Sequence, residues 1–167
     1  MIALAAAVLL LVQATVFPAK TTFILLAVPT TIARLNVPYG DNGGWPAFHL
    51  AMILADRPVP VRPGGPSRFN PIHEDDIIAM VPRLLDVATV PATVVNWGGD
   101  EESSIEEWST YLADLVRREV HFDLTTETLG GIPTDNTRRL ELVGPTKVGW
   151  RQGMRRMVEA MYPELVG

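Results

Sequence analysis

The side chains able to do chemistry are few and scattered. Three histidines, His49, His73 and His121, stand too far apart in sequence for spacing alone to suggest a metal site, and each reads as a half-buried or capping residue. The carboxylates Asp75-Asp76 and Asp100-Glu101-Glu102 are the material of a general acid and base. Adjacent acids at a helix start are more often solvated caps, and they read so here. Gly43-Gly44, Gly64-Gly65, Gly98-Gly99 and Gly130-Gly131 are isolated pairs, none of them part of a Gly-x-Gly-x-x-Gly turn. They supply backbone freedom at turns. No Gly-Lys-Ser/Thr phosphate loop and no Gly-x-Ser-x-Gly elbow occurs. Cysteine is absent, which excludes a thiolate zinc site, a disulfide scaffold and a cysteine nucleophile, and permits a reducing compartment.

These residues sit on a chain of 167 residues, enough for one domain of ordinary size. Its 14 Lys+Arg against 19 Asp+Glu leave a net charge of −5, which argues against a nucleic-acid module. A hydrophobic fraction of 47% with 20% charged residues suits a packed core and excludes wholesale disorder. From Met1 to Ala33 the one charged side chain is Lys20. The two apolar runs there, separated by Pro18 and bounded by Pro29, are each shorter than the ~20 residues a membrane helix needs, so a membrane role is not expected. Ile2 to Val12 with Val12-Gln13-Ala14 has the outline of a signal peptide, but no Lys or Arg precedes it. Residues 1–27 are therefore set apart as an apolar segment of open status, and a cytoplasmic location is expected.

Beyond Ala33 strand and helix patterns alternate. Thr30 to Leu35 is β-branched and apolar and enters a turn-rich loop, Asn36 to Gly44. Pro46 opens a helix through Asp56, and Val59 to Val61 is a short extended piece. His73 to Val87 carries a helical apolar stripe behind an acidic start, with Pro82 expected to kink or restart it. Ala92 to Asn96 reads as a second strand, followed by the glycine-containing acidic loop before Ser103. Ser103 and Ser104, with Glu106 and Glu107 three positions on, make two overlapping capping boxes for a helix whose apolar face is Ile105, Trp108, Leu112, Leu115 and Val116. Val120 to Leu124 reads as a strand, and Trp150, Met154, Met157, Val158 and Met161 mark a closing helix.

Four segments taken in order resemble the extended short-chain dehydrogenase/reductases, the NAD-dependent epimerase/dehydratase family. They are ARLNVPYGDNGG from Ala33, SRFNPIHEDDIIAMVPRLLDVA from Ser67, VVNWGGDEESSIEEW from Val94, and PTDNTRRLELVGPTKVGWRQGMRRMVE from Pro133. The resemblance covers residues 28–167 and implies the C-terminal portion of a Rossmann-type parallel sheet with a small α/β substrate-binding lobe. It implies that Asn36 and Arg68 contact a nucleotide-sugar or similar small molecule, where an amide supplies donor and acceptor and a guanidinium grips a diphosphate. It places Pro38 and Tyr39 at the wall near the nicotinamide of NAD(P), and makes Asp135 the cap of the following helix.

The chain departs from that family at the chemistry. Tyr39, Tyr111 and Tyr162 lack a lysine four residues on, Lys20 and Lys147 being the only lysines, and the glycine fingerprint is missing. The chain thus looks like the substrate-binding half of a nucleotide-sugar epimerase, dehydratase or reductase, inactive alone, whose cofactor-binding half is absent. Two further readings stay open: a non-enzymatic α/β binding or interaction module, exported or not, and self-association through the apolar N-terminus.

Overall fold

The computed structural model describes residues 7–12 and 28–165. Strand β1 (Ala7–Val12) lies parallel to β2 (Thr30–Leu35), which lies parallel to β8 (Thr93–Trp97), in the order β1-β2-β8. The pairing Ala33↔Val95 and Leu35↔Trp97 aligns the apolar residues of one face. The rest of the N-terminal segment lies outside the described residues. Cleavage after Ala14 would remove β1 from the sheet.

Helix α2 (Glu74–Asp86) covers that face, and Met80 and Leu84 pack with Ala33, Leu35, Val95 and Trp97. Its acidic first turn matches the reading from sequence, and the Nδ1 of His73 accepts from the Asp75 amide at 3.2 Å as a cap. The helix is continuous through Pro82, so the expected restart does not occur. Pro82 and Ile78 share the exposed side, where water can satisfy the carbonyl that proline leaves unpaired.

A second core joins helices α1 (Trp45–Leu54), α3 (Ile105–Val116) and α5 (Trp150–Met161) through Leu50, Ile53, Trp108, Leu112, Met154 and Met157. Between the cores runs β3 (Val37–Gly40), paired antiparallel with β4 (Gly43–Gly44) and parallel with β7 (Pro71–His73). The sequence pattern had this stretch as loop. Its parallel partner lies more than thirty residues away, and Pro38 and Gly40 hide the strand from local propensity. The expected small lobe is present: β5 (Val59–Val61) pairs parallel with β10 (Phe122–Leu124).

One of the two capping boxes is built. The Ser104 hydroxyl accepts from the Glu107 amide at 3.0 Å, and the Glu107 carboxylate accepts from the Ser104 amide at 2.9 Å. Glu106 instead accepts from the Ser67 amide at 3.2 Å, tying α3 to the strand β6 (Arg68–Phe69), which pairs with β9 (Ser103–Ser104). The helix α4 (Thr137–Leu142) has Asn136 at its N-cap position, and Asp135, one residue earlier, accepts from the Thr137 amide at 3.0 Å. That bond holds the Asp135 carboxyl below its usual range. Among the described residues no helix is long and apolar enough to cross a membrane.

Candidate functional site

Parallel strands aim their carboxyl ends at one rim, where ligands of open α/β sheets bind. Here the rim is formed by the segments that follow β2 and β8. Asn36, immediately after β2, is its hub: Nδ2 donates to the Ile132 carbonyl at 3.1 Å and to the Thr134 hydroxyl at 2.7 Å, and Oδ1 accepts from the Asn70 amide at 3.0 Å. Asn70 extends the net, its Oδ1 accepting from the Thr134 amide at 2.7 Å and its Nδ2 donating to the Gly99 carbonyl at 3.2 Å. Gly99 is confined by close approach, since a Cβ there would overlap the Pro71 carbonyl. This accounts for one of the glycine pairs by packing.

Two clefts meet at Asn36. An apolar cleft of about 200 Å³ is lined by Leu35, Val37, Pro38, Trp45, Phe69 and Leu129, with Asn36 its one polar residue. Behind Trp45 and Phe69 stands an aromatic stack: Trp108 lies edge-on to Trp45 at 5.8 Å and parallel to the His49 ring at 5.8 Å. Rings so braced cannot collapse into the cleft. Beside it runs a polar groove, also about 200 Å³, whose lining includes Arg34, Asn96 and Thr134 as well as Leu35 and Asn36.

The other expected residues fall around this centre. Pro38 separates the apolar cleft from a shallower one of about 300 Å³ that is bordered by Tyr39, Gly43, Gly44 and Glu74. The Tyr39 ring is buried edge-on to His73 at 5.3 Å, and its hydroxyl approaches the Trp150 carbonyl at 3.4 Å. Burial, with Asp76 and Glu101 nearby, pushes its pKa up. Arg68 lines neither cleft; its guanidinium lies 3.2 Å from Glu102 and 3.5 Å from Glu107.

The histidines resolve into two settings and a surface residue, His121. His49 accepts from the Trp108 indole at 2.8 Å, and burial lowers its pKa to about 4. His73 lies near Asp41 and Glu74, with potential ligand atoms all within 4.8 Å of one another. Its Nδ1 lone pair already receives the Asp75 amide, so the ring proton sits on Nε2, toward Asp41 Oδ1 at 3.5 Å. A metal would need that nitrogen bare. Arg156, 2.8 Å from Asp75 and 3.3 Å from Asp41, adds positive charge and holds the Asp75 carboxyl below its usual range. With Glu74 accepting from the Asp41 amide at 2.7 Å and Arg156 reaching Asp75 and Asp41 from α5, the group is a joint between the end of β3, α2 and α5.

The acidic groups likewise hold backbone. Asp76 accepts from the Lys147 and Val148 amides at 2.8 and 3.0 Å, Glu101 accepts from the Trp150 amide at 3.0 Å, and Asp100 pairs with the fully buried Arg139. Sequence reasoning passed over Trp45, Phe69, Leu129, Arg34 and Thr134. Arg34 carried a signal, being the one charge in an apolar strand. Leu129 and Thr134 lie in an irregular stretch without periodicity and carried none.

This is a Rossmann-type α/β fold with parallel strands, flanking helices and a small lobe. Among solved structures the chain is similar to UDP-glucuronic acid 4-epimerase of Bacillus cereus in complex with a fluorinated UDP-glucuronic acid and NAD (TM-score 0.68, 18% identity, 86% of this chain and 49% of that one). It is similar to UDP-glucose 4-epimerase of Thermotoga maritima with UDP-glucose (TM-score 0.71, 17% identity, 87% and 51%). A third is dTDP-glucose 4,6-dehydratase of Bacillus anthracis with NAD (TM-score 0.70, 16% identity, 87% and 49%). The chain spans about half the length of these proteins. No family model matches the sequence, and no curated protein matches it.

Proposed function

We propose that this chain is the substrate-binding half of an NAD(P)-dependent nucleotide-sugar epimerase, dehydratase or reductase, and that it turns over no substrate alone. The observation that carries the reading is the apolar cleft at the carboxyl end of β2, in a fold whose solved counterparts include nucleotide-sugar complexes. A planar base fits a slot whose walls are a proline and braced aromatic rings. Asn36 fixes the loops that shape the slot and keeps a spare lone pair on Oδ1. Arg68 reaches a phosphate by exchanging Glu102 and Glu107 for it. Pro38 and Tyr39 form the partition toward a nicotinamide.

The residues present do not suit the dinucleotide itself, because no Gly-x-Gly-x-x-Gly turn occurs to cradle its pyrophosphate. No Tyr-x-x-x-Lys pair is available to move the hydroxyl proton. A cytoplasmic site of action goes with this reading.

Titration of the full chain with UDP and dTDP, followed by tryptophan fluorescence with Trp45→Phe as control, tests it. Saturable quenching that depends on Trp45, with no enhancement of NADH fluorescence, is the expected result. Micromolar NADH binding without nucleotide binding would overturn it.

A further inference from the structure

A further cavity stands apart from the rim. It encloses about 180 Å³ between helix α2 and the segment that leads from α4 into α5, and it shares no residue with either cleft at Asn36. Arg83 lines it from the last turn of α2, and Lys147 from the facing segment. Among the described residues neither cation enters an ion pair. Arg83 donates from Nη1 to the Val143 carbonyl at 2.8 Å, which anchors the guanidinium and leaves its remaining donors free. Gly144 gives it room: φ there is +97°, and a Cβ would stand 2.9 Å from Arg83 Nη1. The backbone that carries Lys147 is held as well, because the buried Asp76 carboxylate accepts from the Lys147 amide at 2.8 Å and from the Val148 amide at 3.0 Å. Asp76 also lines the cavity, but two cations outweigh it, and each of its oxygens already has an amide.

We propose that Arg83 and the Lys147 ammonium form a binding site for a phosphate group, free or carried by a small ester, separate from the substrate cleft. Forked guanidinium donors fixed in place and a rotatable ammonium grip a dianion together, and neither has to give up an ion pair to do so. Met80 and Pro145 add apolar surface against which the body of an ester can lie. The occupant would bridge α2 to the segment before α5, two pieces that Asp76 and Arg83 already tie through backbone groups. Binding to the folded chain alone raises its melting temperature.

Calorimetric titration of the full chain with inorganic phosphate and with phenyl phosphate, at constant ionic strength, tests the site in the unmodified protein, Lys147→Gln, Arg83→Gln and Arg118→Gln. Arg118→Gln removes an equal charge from an exposed position after α3. Both ligands should bind to the unmodified chain and to Arg118→Gln, and should lose about tenfold in affinity in Lys147→Gln. The Lys147 side chain makes no hydrogen bond among the described residues, so the melt of that variant without ligand should be unchanged, which separates lost binding from lost folding. Arg83→Gln should lose at least as much affinity. Tighter binding of phenyl phosphate assigns the site to an ester; equal affinities assign it to the free anion. No binding to the unmodified chain, full affinity in Lys147→Gln, or an equal loss in Arg118→Gln overturns the site. None of these outcomes touches the nucleotide reading of the apolar cleft.

Discussion

His49 sits among aromatic rings with its Nδ1 receiving the Trp108 indole proton, so an added proton would have to occupy the place to which Trp108 already points. Burial lowers its pKa from 6.5 to about 4. The unfolded chain therefore takes up a proton more readily than the folded one between those values. Stability is full above about pH 6.5 and declines as pH falls toward about 4, by roughly 3 kcal/mol from this residue. Urea midpoints at pH 7 and pH 4.5 should diverge more for the natural chain than for His49→Gln, which keeps an acceptor for Trp108. Equal acid sensitivity would refute the assignment. At this scale the sequence showed residue types without their partners: a buried or capping histidine was legible, whereas the Trp108 bond spans 59 residues and no local pattern reports it. The resemblance singled out Asn36 as a substrate contact, but that its amide ties together distant loops depends on contacts 34 to 98 residues apart.

Helix α3 was the most legible element, because its start is written in adjacent residues and its buried face repeats at helical spacing. Ser104→Ala removes one half of the built capping box and should lower stability by about 1 kcal/mol. Ser103→Ala removes no cap, and its effect on thermal melting should differ visibly from that of Ser104→Ala. Indistinguishable melts would mean that the Ser104–Glu107 pair does not anchor the helix. Strand β3 marks the opposite extreme. Proline and glycine within it, and a partner strand far along the chain, leave nothing for local propensity to detect. The same holds for the approach of α5, where a Cβ on Gly153 would overlap the Tyr39 hydroxyl; the glycine is explained only by what crosses it.

For the molecule as a whole, the sheet has β1 at one margin, drawn from a segment whose one charge is Lys20. Parallel sheets seldom tolerate a bare apolar margin. Deleting Met1 to Ala19 strips β1 from β2 and should promote self-association, seen as a larger species in size-exclusion chromatography and a less cooperative melt. A truncated chain that remains monomeric with an unchanged melt would show that β1 does not shield β2. The fold class was legible at this scale because four short motifs stood in order. The junction of the two clefts was not, since it assembles residues from positions 34 to 134.

The joint between β3, α2 and α5 brings Asp41 to Arg156 across 115 residues of chain. A ribosome adding roughly 5–20 residues per second takes roughly 6–23 s to travel that distance. For that interval the nascent hairpin that carries Asp41 and Tyr39 has neither the guanidinium nor the helix that will cover it. The joint therefore closes only after Arg156 has been made, and a message cut short before its codon yields a chain in which Asp41 and Tyr39 lack that cover.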